Sequence, residues 1–211
     1  MYVIIRGELI LHDLYQKEMA LRGEGYTYIA GVDEAGRGPL AGPVVAGAVI
    51  LPIHSNICDL KDSKLLSEKK RQKVYEEIKN TALSYAYAVV DESYIDTYNI
   101  LNATYIAMKE AVGKLSITPD FVLVDALKIP DINIPQQSII KGDRLCACIA
   151  AASIIAKVER DRIMCAYSKE YPQYDFIRNK GYATKKHMES LKKYGRCPIH
   201  RKSFNVKGLN T

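Results

Sequence analysis

Four carboxylates carry most of the chemistry that this chain could perform. Asp33 and Glu34 stand side by side in GVDEAGRGPLAGPVVAGAVIL, where an apolar run gives way to a glycine-rich turn. Asp125 closes the apolar run FVLV, and Asp143 follows the segment SIIKG. Three strand-like segments therefore end in acid, and ligands of open α/β sheets gather at the carboxyl ends of strands. Brought together, such groups repel: two carboxylates ~4 Å apart cost about 4 kcal/mol at an effective dielectric of about 20. Hard divalent cations cancel that repulsion, so convergence of these acids predicts a Mg²⁺ or Mn²⁺ site. Taken singly, each acid also suits a turn, and Asp143 in KGDR could serve as a plain helix N-cap. Neighbours on a strand face opposite sides, so Asp33 and Glu34 share a site only if the chain turns there. Gly36 and Gly38 permit that turn.

Other chemistries fit poorly. Gly36-x-Gly38-x-x-Ala41 matches a dinucleotide fingerprint, but Pro39 and Pro43 interrupt the helix it must open, and VVAGAVIL continues as strand. Asp33 and Glu34 would also repel a pyrophosphate. No Ser, His and Asp grouping lies near the acids, and the four histidines are scattered. Cys146 and Cys148 lie one residue apart and Cys197 precedes His200 by three, yet neither has a partner C-x-x-C for zinc.

The elements that position the acids follow from periodicity. A helix is expected from Glu8 to Arg22, stopped by Gly23 and Gly25. Strands are expected at Tyr28–Val32, Val44–Leu51, Leu83–Val90, Phe121–Val124 and Ser138–Ile140. Tyr85, Tyr87 and Val89 should share one face of the third. Helices are expected at Ser67–Asn80, capped by Ser67, at Ser93–Leu115 and at Leu145–Glu170. In the second, Leu101, Tyr105, Met108, Val112 and Leu115 form a buried stripe; in the third, Ile149, Ala152, Ala156, Ile163 and Tyr167 face inward. This alternation predicts one α/β domain with helices on a mixed sheet.

At 211 residues and 48% hydrophobic content, the chain can bury a core without staples. The net charge of +6 is uneven: residues 177–211 hold 10 of the 30 basic side chains and one of the 24 acidic ones. A basic tail on a mildly acidic body suggests a polyanion partner or a solvated terminal helix. No apolar run approaches the length of a membrane helix, and Arg6, Glu8 and Asp13 break the opening segment, so no secretory signal is expected. Five cysteines, an odd number, suit reduced thiols in a cytoplasm.

The blocks AGVDEAGRGPLAGPVVAGAVIL, LKDSKLLSEKKR, FVLVDALKI, KGDRLCACIAAASIIAKVERDRIM and NKGYATKKH, in that order, resemble bacterial ribonuclease HII, the type 2 ribonuclease H. The resemblance runs from about Ile29 to Phe204. It implies an α/β, ribonuclease H-like fold: a five-stranded mixed sheet flanked by helices, with a basic helical C-terminal extension. Residues 1–25 would form an N-terminal helical segment, 26–175 the catalytic domain, and 176–211 an extension completing the substrate groove. The implied activity is cleavage of RNA in RNA–DNA hybrids and 5′ of single ribonucleotides in duplex DNA. Two-metal-ion hydrolysis with Mn²⁺ or Mg²⁺ would leave 3′-OH and 5′-phosphate ends. The implied protein is a cytoplasmic monomer with no membrane partner.

By the same resemblance, Asp33, Glu34, Asp125 and Asp143 are the catalytic and metal-binding quartet. Gly36, Arg37 and Gly38 form the substrate loop, Tyr182 senses the substrate, and Lys64 lies near its backbone. Lys180, Lys185 and Lys186 join Arg37 and Lys64 as candidate phosphate contacts. Two stretches depart from the pattern. Arg144, Leu145, Cys146, Ala147 and Cys148 stand where a Lys-Ser pair and further serines are common, and Ala126 replaces a frequent glycine.

Overall fold

The computed structural model describes residues 14–53, 55, 57, 59–60 and 66–205. Residues 8–13 of the helix expected from Glu8 to Arg22 lie outside that range. Its described part is α1, Gln16–Gly23. The strands are β1 (Ile29–Ala35), β2 (Val44–Ile50), β3 (Ser84–Val90), β4 (Phe121–Asp125) and β5 (Gln136–Ile139). The helices are α2 (Glu68–Thr81), α3 (Glu92–Gly113), α4 (Ala147–Glu170), the single turn α5 (Phe176–Asn179) and α6 (Lys185–Tyr194).

The sheet order is β3-β2-β1-β4-β5. β1, β2 and β3 pair antiparallel, whereas β1, β4 and β5 run parallel. It is the expected five-stranded mixed sheet. One face carries Ala30, Val32, Ala46 and Ala48 against Ala103, Ala107 and Met108 of α3. The other carries α4, with α2 beyond it. β2 is buried along its whole length, which its unbroken Val and Ala run anticipates. α4 lies directly on β1 and β2 because Gly31 and Gly47 leave room. A Cβ at Gly31 would stand 2.1 Å from the Cys148 carbonyl carbon, and one at Gly47 2.4 Å from the Ala152 oxygen.

The departures from expectation have local causes. β1 runs three residues past Val32, because Asp33, Glu34 and Ala35 still pair with Gly47, Ala46 and Val45. The α3 stripe is borne out at Met108, Val112 and Leu115 and departs at its N-terminal end. Asn99 sits at φ 69, and its side-chain oxygen accepts from the Leu101 and Asn102 amides, restarting the helix. Leu101 is consequently exposed and Tyr105 half-buried, while Ala103, Ala107, Met108, Ala111 and Val112 face the core. On α4 the buried position is Met164, and Ile163 and Tyr167 are half-covered. Ile140 lies beyond β5 and is 76% exposed.

Candidate active site

β1 and β4 pair in parallel up to Val32 opposite Val124. The next residues are Asp33 and Asp125, so two acids leave adjacent strands at the same end of the sheet. Asp33 is buried. Its Oδ1 accepts the Glu34 backbone N–H at 2.7 Å, and Ser153 of α4 lies beside it in the same cavity and favours the charged form. Burial, reinforced by the charges of Glu34 and Asp125, holds Asp33 well above the ordinary carboxylate range. Burial raises Glu34 as well, against the pull of Arg37, whose Nη1 lies 3.2 Å from Oε1. Glu34 Oε2 is buried and has no hydrogen-bond partner among the described residues.

Asp125 is held from the following turn. Lys141 adopts the left-handed conformation at φ 58, and the Gly142 N–H then donates to Asp125 Oδ1 at 2.8 Å. Asp143 comes next, 1% exposed, inside a short 3₁₀ turn. It does not cap α4, whose N-cap position is Cys146. Instead Glu18 of α1 accepts the Cys148 N–H at 2.9 Å, a carboxylate placed where a helix N-terminus favours one. Cys146 and Cys148 are buried beside it, and Leu145 is exposed. Of the departures at this turn, Cys146, Ala147 and Cys148 thus build the core under α4, and Arg144 and Leu145 stay exposed.

Asp33, Glu34, Asp125, Gly36, Arg37, Gly38 and Tyr182 line one cavity of about 370 Å³. The strand does not turn between Asp33 and Glu34. It runs on to Ala35 and turns at Gly36, φ 101, and the cavity meets both carboxylates around the sheet's end. Asp143 is buried and is not among the residues that line this cavity, and Lys64 lies outside the described residues. Among the described residues, no three His, Cys, Asp or Glu side chains form a closed cage for an ion. The acids are an open set. Their chemistry still suits a hard divalent cation: oxygen donors only, raised by one another's charge, with one buried oxygen lacking a partner.

Ser153, Lys157 and Arg71 also line the cavity and were not read from the sequence. Ser153 and Lys157 are one helical turn apart on α4, the helix that follows the acidic turn, a spacing that could have drawn notice. Lys157 Nζ lies 2.6 Å from Asp161, and Arg71 donates to the Leu66 carbonyl at 2.8 Å. Two expectations are corrected. Lys180 points inward, donating to the Ile177 carbonyl at 2.7 Å, so it is no phosphate contact. His187 and His200 are not scattered: their Nε2 atoms lie 2.9 Å apart in the core.

A mixed sheet of this order, with acids leaving its adjacent parallel strands, defines a nuclease of ribonuclease H-like fold. Solved structures share it. The ribonuclease H2 of Pyrococcus horikoshii aligns with TM-score 0.71 and 28% identity over 84% of this chain and 94% of that one. Ribonuclease HII from Archaeoglobus fulgidus, solved in complex with PCNA, aligns with TM-score 0.73 and 27% identity over 87% and 98%. The ribonuclease HII of Ruminiclostridium cellulolyticum is 58% identical over 181 residues, 86% of this chain and 71% of its own. A family model described as Ribonuclease HII matches residues 30–207. The chain belongs to the ribonuclease HII family. It is accordingly a nuclease, a hydrolase that cuts the RNA of RNA–DNA hybrids internally, in a family that uses divalent cations. Among its described residues no helix is long and apolar enough to cross a membrane.

Proposed function

We propose that this enzyme also nicks duplex DNA on the 5′ side of a single embedded ribonucleotide, leaving 3′-OH and 5′-phosphate ends. One observation carries the reading: a single cavity brings three carboxylates to the Gly36–Gly38 turn and Tyr182. Asp33, Glu34, Asp125 and Asp143 are the residues that would hold two divalent cations, Mn²⁺ or Mg²⁺. Bound there, such ions neutralise phosphate charge and lower the pKa of an attacking water.

The chain's own residues supply selection. The 2′-OH, both donor and acceptor, alone separates a ribonucleotide from a deoxyribonucleotide. Gly38 puts no side chain between its backbone and the cavity. A Cβ there would meet only Tyr182 Cε1, at 3.8 Å. A hydroxyl can therefore approach the backbone directly. Tyr182, 46% exposed, offers a ring face to the neighbouring deoxyribose. Arg37, Arg71 and Lys157 lie where phosphates would pass, and Lys64 is retained as a further backbone contact. The protein acts as a monomer in this reading.

The test uses duplex DNA holding one ribonucleotide, with Mn²⁺ or Mg²⁺ and then with chelator, and the all-deoxy duplex beside it. A cation-dependent nick 5′ of the ribonucleotide is expected, absent from Asp33→Asn. Cleavage of the all-deoxy duplex at a comparable rate, or full activity in Asp33→Asn, would refute the assignment.

A further inference from the structure

Two buried arginines do without an acid. Arg160 on α4 and Arg201 near the C-terminus are each 1% exposed, and neither has a carboxylate within ion-pairing distance among the described residues. A buried cation without a counterion persists only where strong dipoles replace its lost water. Here the replacement is backbone carbonyl oxygen. Arg201 donates six hydrogen bonds to five carbonyls: Gly36, Arg37, Pro39, Gly42 and Pro43, at 2.6 to 3.3 Å. All five belong to the turn that follows β1.

The peptide geometry gives this a consequence for the cavity. In a trans peptide the C=O and the following N–H point in opposite directions. Turning the Gly36 and Arg37 carbonyls inward to Arg201 turns the Arg37 and Gly38 amides outward. Neither amide donates to a backbone carbonyl among the described residues. Arg160 fixes the base of the same turn, donating to the Ala41 and Pro43 carbonyls and to Lys180 on the Tyr182 side. Arg201 is spaced 164 residues from Arg37, so this contact is tertiary, not local.

We infer that Arg201 is a positioning residue for sugar recognition: its planar fork orients the Arg37 and Gly38 amides toward the ribonucleotide's 2′-OH. The inference rests on the ribose reading proposed above. Lysine at this position keeps the charge but loses the fork, and cannot hold five carbonyls at once.

The test compares wild type, Arg201→Lys and Arg201→Ala on the single-ribonucleotide duplex, with thermal unfolding followed in parallel. Arg201→Lys is expected to fold, with kcat down about 100-fold, KM little changed and a reduced preference for ribose over deoxyribose. Millimolar guanidinium ion is expected to restore part of the activity of Arg201→Ala. A folded Arg201→Lys with wild-type kcat and selectivity overturns the inference. So does failure of both variants to fold, which assigns Arg201 to stability alone. If wild type does not nick this duplex, the ribose reading itself falls. If wild type nicks and the variants match it, only the role of Arg201 falls.

Discussion

At the scale of single residues, Gly36 and Gly38 look equivalent in sequence and are not. Gly36 sits at φ 101, where a Cβ would lie 2.1 Å from Arg160 Nε and 2.7 Å from the Pro43 carbonyl oxygen. Gly38 has open space on its Cβ side except for Tyr182. Gly36→Ala is therefore expected to destabilise the fold by about 2–3 kcal/mol, through strain and displacement of the arginine. Gly38→Ala should melt within a degree or two of wild type and yet lose cleavage or ribose selectivity. Melting curves and nicking assays on both variants decide this, and a destabilised Gly38→Ala or a stable Gly36→Ala contradicts it. Asp33, Glu34 and Asp125 were legible as acids at strand ends. Tyr182 was legible only through resemblance, since a tyrosine on a basic tail has no signature of its own. Arg201 was invisible, because in sequence it is one more positive charge in that tail.

At the scale of elements, the turn after β4 carries a strain that the sequence hinted at. Ala126 adopts φ 54 while its N–H bonds the Ile139 carbonyl at 3.0 Å. A left-handed L-residue costs about 1 kcal/mol, and glycine removes that cost. Ala126→Gly is thus expected to raise the melting temperature by about 2–4 °C, for a protein of this size. An unchanged or lower value would show that the turn is relaxed. Strands and long helices were readable because their residues are apolar at the right period. The α3 stripe was readable at Met108, Val112 and Leu115 but not at Leu101, because Asn99, a good capping side chain, restarts the helix just before it within an unbroken helical composition. The position of Asp143 was not readable either: it depends on the left-handed Lys141 and the Gly142 amide that clasps Asp125.

At the scale of the whole molecule, the C-terminal segment returns to brace the site. The Gly42 amide donates to the Ile199 carbonyl and the Arg201 amide to Leu40, at 2.8 and 2.9 Å. Beneath them runs a chain of neutral rings. The Cys197 N–H donates to His200 Nδ1, His200 Nε2 meets His187 Nε2, and His187 Nδ1 reaches the Tyr182 carbonyl. Burial, followed by the neighbouring His187, pushes His200 down to about 4, and burial lowers His187. The neutral form is favoured in the fold and protonation begins first in the unfolded chain. This contribution to stability is complete above pH ~6.5 and is lost as pH falls toward 4. Proton NMR is expected to show a His200 ring that stays neutral down to about pH 5; a midpoint near 6.5 would contradict the buried pair.

The convergence of acids on shared cations is tested most directly by anomalous diffraction from a crystal soaked in manganese. The account predicts manganese in the cavity, bound by oxygens of Asp33, Glu34 and Asp125, with Asp143 turned to join them. A soaked crystal with no manganese there, or with manganese held elsewhere while the four carboxylates remain bare, would contradict it.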